Sequence, residues 1–303
     1  MKLPKMNIPH IQQNTLRDLL LFSLSGKKMN RREWAEQTNT CLTTVGKVAK
    51  ALLDAGLVTE QIQTLFRSGR KTGILRTNRD CRFLVVAIHG KRCKLTVFDG
   101  WGERREETWL SYEEDLTEQE NRLLWKATVK RWMDHLENTH FLVGSAMTVP
   151  RGELLDGEKR KFFADWEVDC LLSHEEGIEE MIRGCFEEET VYFLSLAAEI
   201  RPVLYIQGKE TEGKPPLTAH DASRVEQLRG VVGQWNAMTQ VFPDPMLILW
   251  AADASVAEEE LIKKKLLSGG DGRILYVPDF EIKSALYCLK RKMAERIASE
   301  KAK

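Results

Sequence analysis

The sequence predicts an α/β protein with a small helical N-terminal part and a larger body that contains a mixed sheet. Three observations lead to this fold class: two short amphipathic helices in residues 31–58, a basic glycine-bearing hairpin after them, and apolar hairpins followed by alternating helices and strands beyond residue 80. The first two features belong to residues 1–80, and the third belongs to residues 81–303.

Residues 31–58 predict two short helices around a tight turn at 38–40, followed by a strand. Asn30 and Glu33 have the spacing of a capping box at the start of the first helix. The second helix carries apolar residues at helical spacing along one face: Val45, Val48, Ala49, Leu52 and Leu53. This pattern is typical of a winged helix-turn-helix, which places its second helix in the DNA major groove.

The opposite face of the second helix is the predicted DNA-reading surface. Lysines can reach guanine edges or phosphates, and hydroxyls near the helix N-terminus can bond bases or phosphates. The residues that we expect to contact DNA from this helix are Leu42, Thr43, Thr44, Lys47 and Lys50. Leu42 and Gly46 are unusual on such a face, which leaves a protein-binding winged helix open as an alternative.

Residues 57–78 predict the wing, a β-hairpin with a basic tip. Arg67, Arg70 and Lys71 cluster near Gly69 and Gly73. Basic side chains on a glycine-bearing tip suit contacts to phosphates or to a minor groove. An ordinary β-hairpin can carry the same tip, so both interpretations stay open.

Charge is unevenly distributed along the chain, although Lys+Arg and Asp+Glu balance at 45 each. Residues 1–80 hold 14 Lys/Arg against 6 Asp/Glu, and residues 81–303 hold 31 against 39. A basic head on an acidic body favours a protein whose head binds phosphate while its body avoids it. A charge bias that serves only solubility is the other interpretation.

Cysteine usage and hydropathy argue against zinc-stabilised, secreted and membrane proteins. The six cysteines are scattered, without a C-x-x-C pair or a matching histidine spacing. No apolar run approaches the roughly 18–20 residues that a membrane span needs. The first ten residues lack the apolar core of an export signal. We expect a cytoplasmic protein with no membrane contact, no metal and no cofactor.

Beyond residue 80 the apolar pattern predicts an α/β body. Short apolar runs bounded by glycines predict hairpins at 83–90 with 94–100 and at 191–197 with 203–208. The further expected elements are helices at 117–137, 221–242, 255–268 and 280–299 and strands at 141–150, 246–252 and 273–278. We expect a head domain at 1–80 and a body at 81–303, with lobes at about 81–190 and 191–303.

The order of elements resembles the ROK family, which groups bacterial sugar-responsive repressors with sugar kinases, over nearly the whole chain. Three segments carry the resemblance: Gly69-Arg70-Lys71 at the wing, Val97-Phe98-Asp99-Gly100 at the end of the first hairpin, and VGSAMTVPRG (143–152), which is similar to the family's GxAxxVPG strand. The resemblance implies a winged helix-turn-helix followed by a ribonuclease-H-like body of the actin and sugar-kinase type.

The same resemblance identifies three phosphate-binding segments in which this sequence departs from the family's kinases. The kinase glycine motifs correspond to Ala87-Ile88-His89-Gly90-Lys91, to Ala197-Ala198-Glu199-Ile200-Arg201 and to Ala251-Ala252. Side chains would stand where phosphate must approach the backbone closely. We therefore expect no catalytic residues and no ATP-dependent kinase activity.

The family's sugar-contacting Asn-Asp pair corresponds to His174-Glu175, which makes this pair the candidate effector site. A His-Glu pair can hydrogen-bond a polyol, and a carboxylate can act as a base; a helix-capping or surface role is the alternative. The family's zinc motif has no counterpart, because the loop at 208–221 offers His220 and no cysteine. A structural zinc needs about four Cys or His ligands, so we expect none.

The sequence therefore predicts a transcriptional regulator of sugar or carbohydrate metabolism genes. Its expected partners are a double-stranded DNA operator, a second copy of the chain and, as candidate effector, a sugar. A homodimer is expected because two-fold protein symmetry matches palindromic half-sites. A sugar kinase with an accessory N-terminal domain and a protein-binding winged helix are the alternatives.

Overall fold

The computed structural model describes residues 13–64, 71–186, 188–196, 200–207, 209–210, 246–250, 273–276 and 279–301, and the single positions 235, 237, 240 and 241. Within these residues the chain is a mixed α/β protein, as the sequence predicts. The helices are α1 (Gln13–Leu24), α2 (Arg31–Gln37), α3 (Leu42–Asp54), α4 (Glu118–Thr139), α5 (Arg151–Leu155), α6 (Gly157–Ala164), α7 (His174–Cys185) and α8 (Phe280–Lys301). The strands are β1 (Met29–Asn30), β2 (Val58–Thr64), β3 (Lys71–Thr77), β4 (Cys81–His89), β5 (Arg92–Asp99), β6 (Arg104–Ser111), β7 (Phe141–Val149), β8 (Cys170–Ser173), β9 (Thr190–Leu196), β10 (Ile200–Ile206), β11 (Lys209–Glu210), β12 (Met246–Trp250) and β13 (Arg273–Tyr276).

The N-terminal head, residues 13–64 and 71–80, consists of α1, α2, α3 and an antiparallel sheet of order β1-β3-β2. The capping box predicted for α2 is confirmed. Asn30 Oδ1 accepts the backbone N–H groups of Arg32 and Glu33 at 2.9 Å, and the Glu33 carboxylate accepts the N–H of Asn30 at 2.8 Å. Such a cap typically contributes about 1 kcal/mol, which helps a helix of only 7 residues to form.

The core of the head lies where the three helices meet the sheet. Its buried apolar side chains are Leu16, Leu19, Leu20, Leu24, Met29, Trp34, Val45, Val48, Ala49, Leu52, Leu57, Val58 and Leu75. The apolar face predicted for α3 is confirmed, except that Leu53 is only half-buried. Burial of one stripe of α3 leaves its opposite face in solvent.

The first body sheet has the order β6-β5-β4-β7-β8. β4 and β5 form an antiparallel hairpin, whereas β7 runs parallel to β4, and β8 runs parallel to β7. The helices α4 and α6 cover one face, and the core between them contains Trp125, Leu136, Phe163 and Trp166. Because β4, β7 and β8 are parallel, their carboxyl ends meet at one edge of the sheet, where ligands commonly bind in α/β folds.

The second body sheet has the order β11-β10-β9-β12-β13, with β12 parallel to both of its neighbours. Its core includes Ile178, Ile182, Val191, Phe193 and Phe280. The chain divides into two compact units, residues 1–177 with 285–303 and residues 178–284. The head and the first body sheet belong to the first unit; the predicted domain boundaries remain predictions.

Several elements were not expected from the sequence, namely β1, β6, β8, β11, α5, α6 and α7. The expected helix at 221–242 lies largely outside the described residues, and the one at 255–268 lies wholly outside them. The other expected helices and strands are present with shifts of a few residues at their ends. None of the described helices is both long and apolar enough to cross a membrane.

Candidate functional site

α3 presents a polar face to solvent, opposite the stripe that it buries. Four of the five residues predicted to read DNA from this helix are exposed, and Thr44 is half-buried; the exposed ones are Leu42, Thr43, Lys47 and Lys50. Neither lysine forms an ion pair with any described residue. A Cβ atom at Gly46 would meet nothing within 4 Å, so the packing of the head does not require glycine there. The face is thus free to contact a partner.

The turn between α2 and α3 is held by backbone hydrogen bonds. The N–H of Thr38 donates to Trp34 O at 3.1 Å, and the N–H of Thr40 donates to Ala35 O at 2.9 Å. Between them Asn39 has a φ of 48°, a left-handed conformation that asparagine tolerates better than most residues. These bonds fix the direction in which α3 leaves α2.

The base of the predicted wing is an antiparallel hairpin of β2 and β3, in register from Val58 opposite Thr77 to Thr64 opposite Lys71. The guanidinium of Arg31 hydrogen-bonds both carboxylate oxygens of Glu60, which ties α2 to this hairpin. The predicted wing residues Arg67 and Arg70 lie outside the described residues, and only the backbone of Lys71 is described.

The turn between β5 and β6 is fixed by Asp99. This carboxylate is fully buried and accepts the N–H groups of Trp101 at 2.9 Å and Glu103 at 3.0 Å, as well as Nε of Arg105 at 2.8 Å. Burial raises the pKa of Asp99, but the hydrogen bonds, led by that from Arg105, outweigh burial and hold the pKa below its usual value. The charged carboxylate therefore sets the shape of this turn.

Trp101 extends from the turn onto the head. The Arg76 guanidinium lies 3.6 Å from its ring centroid, the Arg79 guanidinium lies 4.5 Å from it, and its indole N–H donates to Thr77 O at 2.9 Å. Arg76 in turn donates to Gly26 O at 2.8 Å. A cation–π contact contributes about 0.5–2 kcal/mol. Head and body are therefore joined by side-chain contacts as well as by the chain itself.

Two glycines allow the backbone of the head to approach the backbone of the β5–β6 turn closely. We call this contact region, formed by Gly26, Asn78, Gly100 and Trp101, the joint. A Cβ atom on Gly100 would stand 1.9 Å from the carbonyl oxygen of Asn78. A Cβ atom on Gly26, whose φ is +76°, would stand 2.9 Å from the carbonyl oxygen of Trp101. No side chain fits at Gly100 without backbone movement. The sequence prediction treated Asp99-Gly100 only as the end of a hairpin and missed this joint.

The candidate effector residue His174 begins α7 at the edge where β4, β7 and β8 end. It is 4% exposed, with Nδ1 at 2.8 Å from Thr148 Oγ1 and Nε2 at 3.0 Å from Ile88 O. Because a carbonyl only accepts, we infer that Nε2 carries a proton and donates it to Ile88 O, while Nδ1 shares a hydrogen bond with the threonine hydroxyl. His174 thereby ties α7 to the ends of β4 and β7.

The two carboxylates next to His174 have different roles: Glu176 caps α7, and Glu175 is a candidate ligand contact. Ser173 and Glu176 form a reciprocal cap for α7, since Ser173 Oγ accepts the N–H of Glu176 at 3.1 Å and Glu176 Oε2 accepts the N–H of Ser173 at 2.9 Å. By contrast, Oε2 of Glu175 is buried and has no hydrogen-bond partner among the described residues. A ligand hydroxyl would satisfy this oxygen, because an unpaired buried acceptor costs free energy.

An aromatic surface lies beside the His174 ring. The ring of His89 stacks on His174 with centroids 5.1 Å apart, and Trp109, which is 47% exposed, lies 6.0 Å from His89. Lys94 Nζ lies 4.9 Å from the Trp109 ring centroid and 3.3 Å from Glu107. The cluster combines hydrogen-bonding groups with an exposed aromatic ring at the carboxyl ends of the strands.

The first of the three kinase-like segments is a tight turn. β4 and β5 are joined by only Gly90 and Lys91, since His89 pairs with Arg92, and Gly90 has a φ of 55°. Positions 87–89, which the resemblance puts in a phosphate motif, are paired strand residues of β4, and His89 carries its side chain where the motif has a glycine. Residues 197–199 and 251–252 of the other two segments, and His220, lie outside the described residues. Within the part of the chain that is described, no group of three or more His, Cys, Asp or Glu side chains could hold a metal ion.

Comparison with known proteins gives a likeness in structure alone. No protein-family model matches the sequence, and no curated protein sequence matches it. Among solved structures, the chain is similar to a ROK family transcriptional regulator described as a homolog of the E. coli MLC protein. The TM-score is 0.60 at 11% identity, over 97% of this chain and 99% of the other. The chain has the fold of this regulator.

The resemblance to ROK regulators predicted from the sequence is thus confirmed at the level of the fold. Two further structures are more distant. An inorganic polyphosphate/ATP-glucomannokinase from Arthrobacter sp. strain KM has a TM-score of 0.46 at 14% identity, covering 73% of this chain and 99% of the kinase. A ROK family protein from Streptococcus pneumoniae in complex with sucrose has a TM-score of 0.43 at 14% identity, covering 68% and 97%.

Proposed function

We propose that this protein is a DNA-binding transcriptional regulator whose head is a winged helix-turn-helix. The observation that carries the proposal is the exposed face of α3, where Lys47 and Lys50 stand one turn apart without ion-pair partners among the described residues. The helix pair α2–α3 on an antiparallel β2–β3 hairpin is the arrangement that such modules use to place one helix in the major groove. The basic balance of residues 1–80 supports phosphate binding.

The wing supplies affinity that does not depend on sequence, through Arg67, Arg70 and Lys71. Each phosphate that is neutralised adds about one unit to the slope of log affinity against log salt. We therefore expect the Arg70→Ala protein to show a slope shallower by about one unit, with an unchanged order of preference among DNA sequences. Fluorescence anisotropy over a salt series measures this slope.

A matched control for the wing is Lys130→Ala, which removes an exposed cation from α4 of the body. The slope of the control should equal that of the unmodified protein. An Arg70→Ala slope that also equals it would place the wing away from the DNA backbone.

The body serves as a non-catalytic scaffold in this proposal. The two-residue turn at Gly90-Lys91 and the imidazole of His174 stand where the resemblance puts a phosphate loop and a polar sugar-contacting pair. Phosphoryl transfer depends on backbone donors and metal that position the phosphates. At this turn Ala87 stands where the family's kinases have an aspartate, and His89 stands where they have a glycine.

We accordingly expect no ATP-dependent kinase activity and no structural zinc. Calorimetry with ATP and magnesium should give no binding tighter than about 1 mM, and a coupled assay with a panel of sugars should give no turnover. Elemental analysis of protein purified without chelators should give less than one zinc per chain. Micromolar ATP binding would instead favour the alternative of a sugar kinase with an accessory N-terminal domain.

The remaining elements of the proposal concern partners. The protein acts as a cytoplasmic homodimer on a two-fold symmetric operator, and it regulates genes of sugar or carbohydrate metabolism. A sugar would bind at the edge formed by His89, His174 and Glu175, where the buried Glu175 Oε2 needs a donor and Trp109 offers an aromatic surface. Fold similarity to a ROK family regulator supports this class of function without identifying the genes.

One observation favours a second function. Leu42 is 55% exposed at the start of α3, and a leucine side chain can pack in a protein interface but cannot hydrogen-bond a phosphate. The head would then bind another protein. Gel-shift assays on the DNA upstream of the protein's own coding region separate the two functions, since a protein-binding head would leave the duplex unshifted.

A further inference from the structure

A cavity of about 540 Å³ lies between α1 of the head and α8 of the body. Both walls belong to the first compact unit of the chain. Its volume is within the range of small-molecule sites, roughly 300–1,000 Å³. The cavity is separate from the His174 cluster and shares no residue with it. Its lining residues from the head are Gln13, Asn14 and Arg17.

The floor of the cavity is apolar and rigid. Leu289, Met293 and Ala298 of α8 are buried there, with at most 2% of their surface exposed. Leu289 and Met293 pack so closely on β7 that a Cβ atom on Gly144 would stand 3.2 Å from both side chains. A floor of this kind can support the carbon skeleton of a small ligand, since burial of its apolar surface is favourable.

The walls carry three cations, Arg17, Lys292 and Arg296, and two carboxylates. The carboxylates are already engaged. Asp169 accepts the N–H of Ser145 at 2.9 Å, and Glu295 accepts Nε of Arg291 at 3.1 Å.

The cations are less committed. Lys292 is exposed and forms no ion pair with any described residue. Arg296 donates Nε to the exposed carboxylate of Glu300 at 3.0 Å and lies 4.0 Å from Asp169. Among the described residues Arg17 pairs with its chain neighbour Asp18, and both side chains are partly exposed. Exposed pairs of this kind contribute about 0–1 kcal/mol. The cavity therefore has positive charge available for a ligand.

We propose that this cavity binds a small organic anion, a carboxylate or phosphate ester whose charge pairs with Arg17, Lys292 and Arg296. Arginine binds such groups through two parallel N–H···O bonds, and lysine adds a point charge. The amides of Gln13 and Asn14 and the hydroxyl of Ser299 line the same space and can bond polar groups on the skeleton. The apolar floor favours an organic anion over a bare inorganic ion.

The position of the cavity gives such a ligand a regulatory role, which rests on the proposed DNA-binding function. One wall is on the helix that opens the head and the other is on the last helix of the body. An anion held by Arg17 and Lys292 together favours arrangements in which α1 and α8 lie close to each other. The proposed coupling requires that DNA binding also depends on the position of α1.

Isothermal titration of the full-length protein with citrate and with 3-phosphoglycerate tests the site, with glycerol as the uncharged comparison and ionic strength matched by NaCl. We expect saturable binding of at least one anion with Kd below about 1 mM, and none for glycerol. Lys292→Glu and Arg17→Glu should each weaken binding at least about tenfold, because each replaces a charge-assisted contact by repulsion.

The matched control is Lys283→Glu, which makes the same charge change at an exposed position of α8 that does not line the cavity. Its affinity for the anion should stay within about twofold of the original. Thermal melts of Lys292→Glu, Arg17→Glu and Lys283→Glu test whether each variant is folded. No binding of either anion, or equal binding by the Lys292 and Lys283 variants, overturns the site.

Coupling between anion binding and DNA binding is measured in a separate experiment. The affinity of the protein for selected DNA duplexes is compared with and without a saturating concentration of the anion. A change of at least about threefold that disappears in Lys292→Glu supports regulation. A change below twofold overturns the coupling. Failure to bind any duplex overturns the proposed function and the coupling, while the calorimetric result still decides the anion site.

Discussion

A protein with alanine at both position 47 and position 50 will bind its DNA at least about 30-fold more weakly than the unmodified protein. A hydrogen bond from a charged group contributes about 1.5–3 kcal/mol, so the loss of two lysine contacts costs 2 kcal/mol or more. The melting temperature should change by no more than about 1 °C, because both side chains are exposed, neither forms an ion pair with a described residue, and alanine favours helix.

The measurement uses duplexes that the unmodified protein selects from a random pool, followed by anisotropy at fixed salt. The control is a double substitution of Lys27 and Lys28 by alanine, which removes the same charge from an exposed part of the head away from α3. Equal losses in the two proteins would mean that only net charge matters. Unchanged affinity of the α3 variant would show that α3 does not face DNA.

The head was predicted well because its features are local in sequence. The Asn30–Glu33 capping box and the buried stripe of α3 depend on residues three or four positions apart, and the structure has both. The N-cap hydrogen bonds need only the helix itself, so no distant partner had to be guessed. Once the buried face of α3 was predicted, the opposite face of the same helix had to be the exposed one.

The short elements of the body were missed for two different reasons. β6 is an edge strand with the sequence RREETWLS, in which most side chains are exposed, so it lacks the apolar alternation that marks a strand. α7 did carry a signal, because Ser173 and Glu176 have the spacing of a capping box, and the structure forms that box. The resemblance directed attention to His174 and Glu175 instead of to the cap.

The candidate sites of the body depend on contacts that sequence spacing does not contain. His174 bonds the carbonyl of Ile88, 86 positions away, and Trp101 bonds the carbonyl of Thr77, 24 positions away. The sequence predicts Gly100 only as the end of a hairpin, whereas in the structure it admits the backbone of Asn78, which lies between β3 and β4. Only the three-dimensional packing distinguishes these two roles of glycine.

The Gly100→Ala protein will be destabilised by roughly 2–4 kcal/mol, a large effect for one methyl group. The new Cβ would stand 1.9 Å from the carbonyl oxygen of Asn78, which is backbone and has no rotamer to change. Asn78 is held to the head by two hydrogen bonds, since its N–H donates to Leu57 O at 2.8 Å and its side-chain amide donates to Gly56 O at 2.7 Å. Relief of the clash must therefore move the head away from the β5–β6 turn.

Gly102, in the same turn, separates lack of space from backbone strain. A Cβ atom there would meet nothing within 4 Å, but its φ of +80° costs a side chain about 1–2 kcal/mol. We expect Gly102→Ala to lower the melting temperature less than Gly100→Ala does.

We also expect only Gly100→Ala to increase hydrogen exchange around Gly26 and Thr77, where Trp101 meets the head. A Gly102→Ala protein less stable than the Gly100→Ala protein, or equal exchange in both, would mean that turn geometry and not the joint limits stability here. If the joint limits stability, Gly100→Ala is the less stable variant, because the contact that Gly100 permits also positions Trp101 against Arg76.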